Sequence, residues 1–194
     1  MTELRALCVY CGSSNGVAAK HLEAAAELGR LTARRGIEIV FGGGHVGLMG
    51  ALADGALAEG GRVTGVIPEH LKAREVGHRG LSELVVVDSM HSRKRRMFEL
   101  SDAFCALPGG LGTLDETFEM ITWKQLGLHD KPIVLVNLDG FWDPLLALFA
   151  HQLEAGYIRP QHACLVRVVA RIESVFDAVA GAPAATIAAD TELL

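Results

Sequence analysis

Short apolar runs alternate with longer segments whose apolar residues recur at helical spacing. Residues 4–10 read as a buried first strand. Residues 17–35 form a helix in which Leu22, Ala25, Ala26, Leu28 and Leu31 make one stripe, and Gly36 stops it. Strand 37–41 runs into Gly42-Gly43-Gly44 and a helix lasting to residue 59. Strand 63–67 is closed by Pro68, and 69–83, without a clear period, is expected to be a long loop. Strand 84–87 precedes a helix from about Ser89 to residue 100. Strand 103–107 turns at Pro108-Gly109-Gly110-Leu111-Gly112-Thr113 into a helix reaching residue 126. Strand 133–136, helix 143–155, short strand 165–169 and short helix 172–179 complete the pattern.

Strands that are apolar on both faces, separated by helices, predict an α/β fold. The expected form is a Rossmann-like, doubly wound parallel sheet with helices on both faces. One domain is expected over residues 1–180, with the Ala-rich 181–194 as a flexible tail. Sheets of this kind bind ligands beyond the carboxyl ends of their strands. That places the useful loops after Tyr10, Phe41, Ile67, Val87 and Leu107.

The 194 residues are half apolar and 21% charged, with a net charge of −5. Disorder is excluded by that balance, and general binding to nucleic acid or anionic membranes is disfavoured. No apolar run approaches the roughly 20 residues of a membrane span, and residues 1–5 do not resemble a secretory signal. A soluble, cytoplasmic protein is expected. Cys8 and Cys11 have knuckle spacing but no second pair follows. The eight histidines show no ligand spacing, so no metal is implied.

Two glycine segments and one basic segment carry the chemistry. Gly42-x-Gly44-x-x-Gly47 formally matches a dinucleotide fingerprint, but it follows the second strand and no acid ends the third. A tight structural turn or one wall of a mononucleotide site are the other readings. Residues 108–116 form a more telling loop: its glycines let backbone N–H groups approach an anion at a helix start. The Lys-Ser/Thr ending of a triphosphate-hydrolysing loop is missing. Along the following helix, Leu114, Phe118 and Ile121 are expected to face the core. Glu116, Met120 and Trp123 fall on the opposite face, where a ligand or partner subunit would cover them. Glu116 is then either a site carboxylate or simply a first-turn acid favoured by the helix dipole. Arg93, Lys94, Arg95 and Arg96 crowd the start of another helix, where cations oppose the dipole unless an anion is present; a solvated basic face is the alternative.

Taken together, these segments resemble the Lonely Guy family, the cytokinin riboside 5′-monophosphate phosphoribohydrolases, whose relatives were long labelled lysine decarboxylases. The resemblance runs from about Cys8 to Leu165. It rests on Cys11-Gly12-Ser13, on Gly42-Gly43-Gly44 through Gly47-Leu48-Met49-Gly50, on Met90-His91-Ser92-Arg93-Lys94 and on Pro108 through Glu116. Ile121-Thr122-Trp123 and Asp130-Lys131-Pro132 extend it. It implies a homodimer that hydrolyses a purine riboside 5′-monophosphate to free base and ribose 5-phosphate, without metal or organic cofactor. The family's catalytic pair falls on Arg93 and Glu116. Its nucleotide-binding positions fall on Glu75, Lys94, Gly110, Leu111, Gly112, Thr113, Leu114, Asp115 and Thr122, with Gly109, Gly43, Gly44 and Ser13 from the flanking motifs. Where the family often has Pro-Arg-Glu, this chain has Ala73-Arg74-Glu75.

A carboxylate beside the sugar suits a reaction that builds positive charge at ribose C1′. Glu116 would stabilise that charge, Arg93 would clamp the substrate, and Gly110, Gly112 and Thr113 with Lys94 would hold the phosphate. A nucleotide or pterin-cofactor carrier on the same fold is the competing reading, because fold does not fix function. A pyridoxal-dependent decarboxylase is disfavoured, since none of Lys20, Lys72, Lys94, Lys124 and Lys131 has a recognisable Schiff-base setting.

Overall fold

The computed structural model describes residues 3–72 and 77–182. Its elements are β1 (Ala6–Tyr10), α1 (Ala19–Arg34), β2 (Glu38–Phe41), α2 (Leu48–Ala58), β3 (Val63–Pro68), α3 (Glu69–Lys72), β4 (Glu83–Val87), α4 (Met90–Leu100), β5 (Ala103–Ala106), α5 (Leu111–Gln125), β6 (Ile133–Val136), α6 (Asp143–Glu154), β7 (Arg167–Val169) and α7 (Val175–Ala180). The strands form one sheet in the order β4-β3-β2-β1-β5-β6-β7. Every pairing is parallel. The expected doubly wound α/β sheet is the fold of this chain.

Alternate strand residues serve alternate layers, as the pleat requires. Leu7 and Val9 of β1 pack with Ala25 and Leu28 of α1, Leu52 and Ala56 of α2, and Val175 of α7. Ala6, Cys8 and Tyr10 face the other layer, with Met97 of α4 and Met120 of α5. Helices α1 and α2 cross so closely that side chains have no room at the contact. A Cβ on Gly29 would lie 2.2 Å from the Leu52 carbonyl oxygen, and one on Gly55 2.2 Å from that of Ala26. No helix among the described residues is long and apolar enough to cross a membrane.

Two expectations need correcting. The stretch 69–83 is not all loop, because its first four residues form α3. The inward face of α5 also differs from the expected one, although Leu114 and Ile121 still pack against the edge of the core. Its buried residues are Thr113, Glu116, Thr117, Met120 and Lys124, while Leu114, Phe118 and Ile121 are only half-buried. Met120 belongs to the chain's own core, and Trp123 packs edge-on against Phe98 at 5.2 Å. Met120 is fully buried and Trp123 half-buried. The inward polar groups are satisfied locally: the Thr117 hydroxyl donates to the Thr113 carbonyl (2.6 Å) and Lys124 Nζ to the Lys131 carbonyl (3.0 Å). A polar stripe can therefore face inward at no hydrogen-bonding cost. Leu111 and Phe118 are left pointing outward.

The chain leaves β1 toward β2 on one side of the sheet and returns from β4 to β5 on the other. The loops at the carboxyl ends of β1 and β5 therefore diverge, opening the crevice in which such sheets bind ligands.

Candidate active site

A cavity of about 380 Å³ fills that crevice. Cys11, Gly12 and Ser13 approach it from β1, Leu48 and Met49 from the start of α2, Arg93 from α4, and Pro108 through Thr113 with Glu116 from the β5–α5 turn. Val17, His21 and Phe141 close its far side.

The two loops are locked together by their backbones. Gly12 N–H donates to the Pro108 carbonyl (3.0 Å), and the Gly12 carbonyl accepts from Leu48 N–H (3.0 Å). Gly47, at φ +66°, must be glycine twice over: a Cβ would also meet Ser14 O at 2.6 Å. Its N–H is held by Asn15 Oδ1 (3.1 Å). At the opposite wall, the Thr113 side chain lies over Gly109, where a Cβ would come within 2.1 Å of Thr113 Oγ1. Gly110 and Gly112 differ, since a Cβ on either would meet nothing within 4 Å. Packing does not demand glycine there, and the space beside them opens at the first turn of α5. The N–H groups of Leu111, Gly112 and Thr113 precede the first α-helical bond of α5, which Leu114 N–H makes to the Gly110 carbonyl (3.0 Å).

Arg93 is placed by helix capping and then fixed at its tip. Ser89 caps α4, its Oγ accepting from Ser92 N–H (3.1 Å). The Ser92 and Ser89 hydroxyls hold the Asp88 carboxyl below its ordinary range. One turn on, the Arg93 guanidinium is buried. Its Nε donates to the Val66 carbonyl (3.1 Å) and its Nη2 to the Gly42 carbonyl (3.2 Å). Its Nη1 lies 3.8 Å from Glu116 Oε1, an ion-pair distance with both side chains at most one-tenth exposed. Elements from both halves of the sheet thus bring a buried cation and a buried carboxylate together at the cavity wall.

The remaining basic cluster splits. Arg95 and Arg96 lie on the exposed face of α4 and pair with Glu99. Lys94 reaches Asp115 (3.1 Å) and Glu119 (3.3 Å) on α5. Burial pulls its pKa down, but these carboxylates outweigh that and leave it raised. Cys11 offers no nucleophile, because burial pushes its thiol well above the ordinary value.

Of the residues singled out from sequence, the cavity wall gathers Ser13, Arg93, Gly109, Gly110, Leu111, Gly112, Thr113 and Glu116. Lys94, Leu114, Asp115 and Thr122 lie away from it. Gly43 and Gly44 pair instead with the following loop, through His78 N–H to the Gly43 carbonyl (3.1 Å) and a bridge between Gly44 and Gly77. Glu75 lies outside the described residues, as does 183–194 of the expected tail. Sequence reasoning missed Ser14, Val17, His21 and Phe141. The strand-end rule applied to β6 would have pointed to the loop carrying Phe141.

The chain is similar to several known proteins. The sequence model of a family described as "Possible lysine decarboxylase" matches residues 49–179. A probable cytokinin riboside 5′-monophosphate phosphoribohydrolase of rice (Oryza sativa subsp. japonica) is 51% identical over 153 residues, covering 79% of this chain and 69% of the rice protein. The cytokinin riboside 5′-monophosphate phosphoribohydrolase of Rhodococcoides fascians is 47% identical over 176 residues, covering 90% and 89%. The chain thus spans about two thirds of the rice protein and nearly all of the bacterial one. Among solved structures, the molybdenum cofactor carrier protein of Chlamydomonas reinhardtii superposes with a TM-score of 0.69 at 25% identity, over 92% of this chain and 97% of that one. The chain belongs to the Lonely Guy family of cytokinin riboside 5′-monophosphate phosphoribohydrolases, to which the lysine decarboxylase label was once attached.

Proposed function

We propose that this protein hydrolyses the N-glycosidic bond of purine riboside 5′-monophosphates, adding water across C1′ and the purine nitrogen to give ribose 5-phosphate and free base. The observation that carries this reading is the buried Arg93–Glu116 pair on the wall of a cavity rimmed by glycine backbone. Cleavage builds positive charge on the sugar. Glu116 stabilises that charge and orients the attacking water. Arg93 clamps the substrate and helps the base depart with the bonding electrons. The first-turn N–H groups of α5 hold the phosphate, with the helix dipole behind them and open space beside Gly110 and Gly112.

Incubating the protein with AMP and with isopentenyladenosine monophosphate, followed by chromatography, should show free base from at least one of them. Nucleotide binding without any base release would favour a carrier, the function named for the Chlamydomonas protein.

The protein also acts as a homodimer in this proposal, but through a different face from the one the sequence suggested. Leu111, Leu114, Phe118 and Thr122 lie on the side of α5 opposite its buried stripe, given about 100° per residue. Leu111 is 86% exposed and also lines the cavity. Beside them α6 buries no residue fully despite Leu145, Leu146, Leu148 and Phe149, and Phe118 meets Phe149 edge-on at 5.7 Å. A second copy on this face covers the apolar surface at the mouth of the site. It also carries Thr122 toward the neighbouring protomer, the contact with a nucleotide that its own cavity does not give it. Analytical ultracentrifugation should find twice the 20.7 kDa chain mass. Phe118→Asp should shift this to monomer and lower turnover. A fully active monomer would sink the proposal.

A further inference from the structure

We propose that Gly42 is a positioning residue for the hydrolytic site, its missing side chain being the seat of the Arg93 guanidinium. The inference rests on the hydrolase reading above. A Cβ at residue 42 would lie 2.0 Å from Arg93 Nη2 and 3.2 Å from Arg93 Cζ, far inside any real contact. The same residue's carbonyl accepts the bond from Nη2 (3.2 Å), so Gly42 both makes the space and supplies the anchor.

Nothing in the backbone asks for glycine here. Gly43, its neighbour, has φ +79° and could not become alanine without strain, but Gly42 is not among the residues of positive φ. The nearest atom outside Arg93 that a Cβ would meet is Met49 Sδ at 3.3 Å, the end of a flexible side chain. The guanidinium therefore accounts for glycine at this position. It also decides what a substitution does. The group that must yield is the tip of a long side chain beside an open cavity, so the fold survives. In yielding, Arg93 gives up its carbonyl anchors and its place 3.8 Å from Glu116. Misplacement of a reacting group by about 1 Å can cost on the order of a hundredfold.

The test is a double-mutant cycle between Gly42→Ala and Arg93→Lys, read as kcat and KM for AMP and as the melting temperature. Lysine ends about where Cζ of Arg93 lies, and a small tilt of its ammonium clears an alanine methyl. Gly42→Ala alone should lower kcat by about a hundredfold and lower the melting temperature by less than Arg93→Ala does, since the displaced guanidinium stays in the protein and can find water or other partners at the cavity. On the Arg93→Lys background the same substitution should cost less than about threefold, because little remains to displace. Equal losses on both backgrounds, or an unimpaired single variant, would overturn the inference. An inactive wild type that still binds AMP would instead overturn the hydrolase reading. In that case calorimetric AMP affinity replaces kcat in the cycle, with the same coupling expected.

Discussion

The Glu116→Gln protein should bind AMP within about threefold of the wild-type affinity and turn it over about a thousand times more slowly. Glutamine keeps the shape of the side chain while removing its charge and turning one acceptor oxygen into an NH2 donor. A carboxylate about 4 Å from a cationic sugar contributes about 4 kcal/mol at an effective dielectric near 20. That attraction exists only once the bond is breaking, so its loss appears in kcat rather than in affinity. Each 1.36 kcal/mol corresponds to about tenfold in rate, giving about a thousandfold. The 10% exposure of the Glu116 side chain supports an effective dielectric well below that of water. Asp115 cannot substitute, because it lies about 100° further round the helix and is tied to Lys94. Steady-state kinetics beside calorimetric AMP binding would check this. A glutamine variant retaining more than about a tenth of wild-type kcat would remove Glu116 from the chemistry.

The sheet was legible because burial leaves a direct trace in a parallel strand. All five residues of β1 are buried, and the sequence shows a matching apolar run. The ends of α4 were legible for a similar reason, since Ser89 is a residue type that caps helices. The α5 face was misread because the rule that apolar residues point inward has an exception at binding sites. Thr113 and Glu116 face the cavity, Thr117 is satisfied by the Thr113 carbonyl and Lys124 by the Lys131 carbonyl, and the apolar periodicity of a single helix does not report such partners. Lys94 shows the complementary limit. Its neighbour Arg93 reaches the cavity, yet one residue further round the helix Lys94 meets Asp115 and Glu119 on α5. Sequence placed both at a strand's carboxyl end but could not say which would turn inward. The far wall was missed because Val17 and His21 lie near the start of α1 and Phe141 follows β6, and their meeting depends on β1, β5 and β6 lying side by side.

Arg93→Ala should cost more stability than Glu116→Gln, as well as rate. The guanidinium holds two buried carbonyls, Val66 O and Gly42 O, besides facing Glu116. Truncation leaves those carbonyls without this donor and leaves Glu116 without its buried cation. Breaking a buried pair from one side typically costs about 3–5 kcal/mol. For a chain of this size that lowers the melting temperature by roughly 10 °C. Turnover should fall by about a hundred- to a thousandfold, the range found when one preorganised donor to a transition state is removed, and KM should rise because the clamp on the substrate is lost. Arg93→Lys should restore part of the stability but little of the rate, since an ammonium carries the charge without the planar fork that reaches two carbonyls at once. Calorimetry and kinetics on the two variants would separate the roles. Full activity in a destabilised Arg93→Ala protein would make the arginine a purely structural buttress and leave Glu116 to act without it.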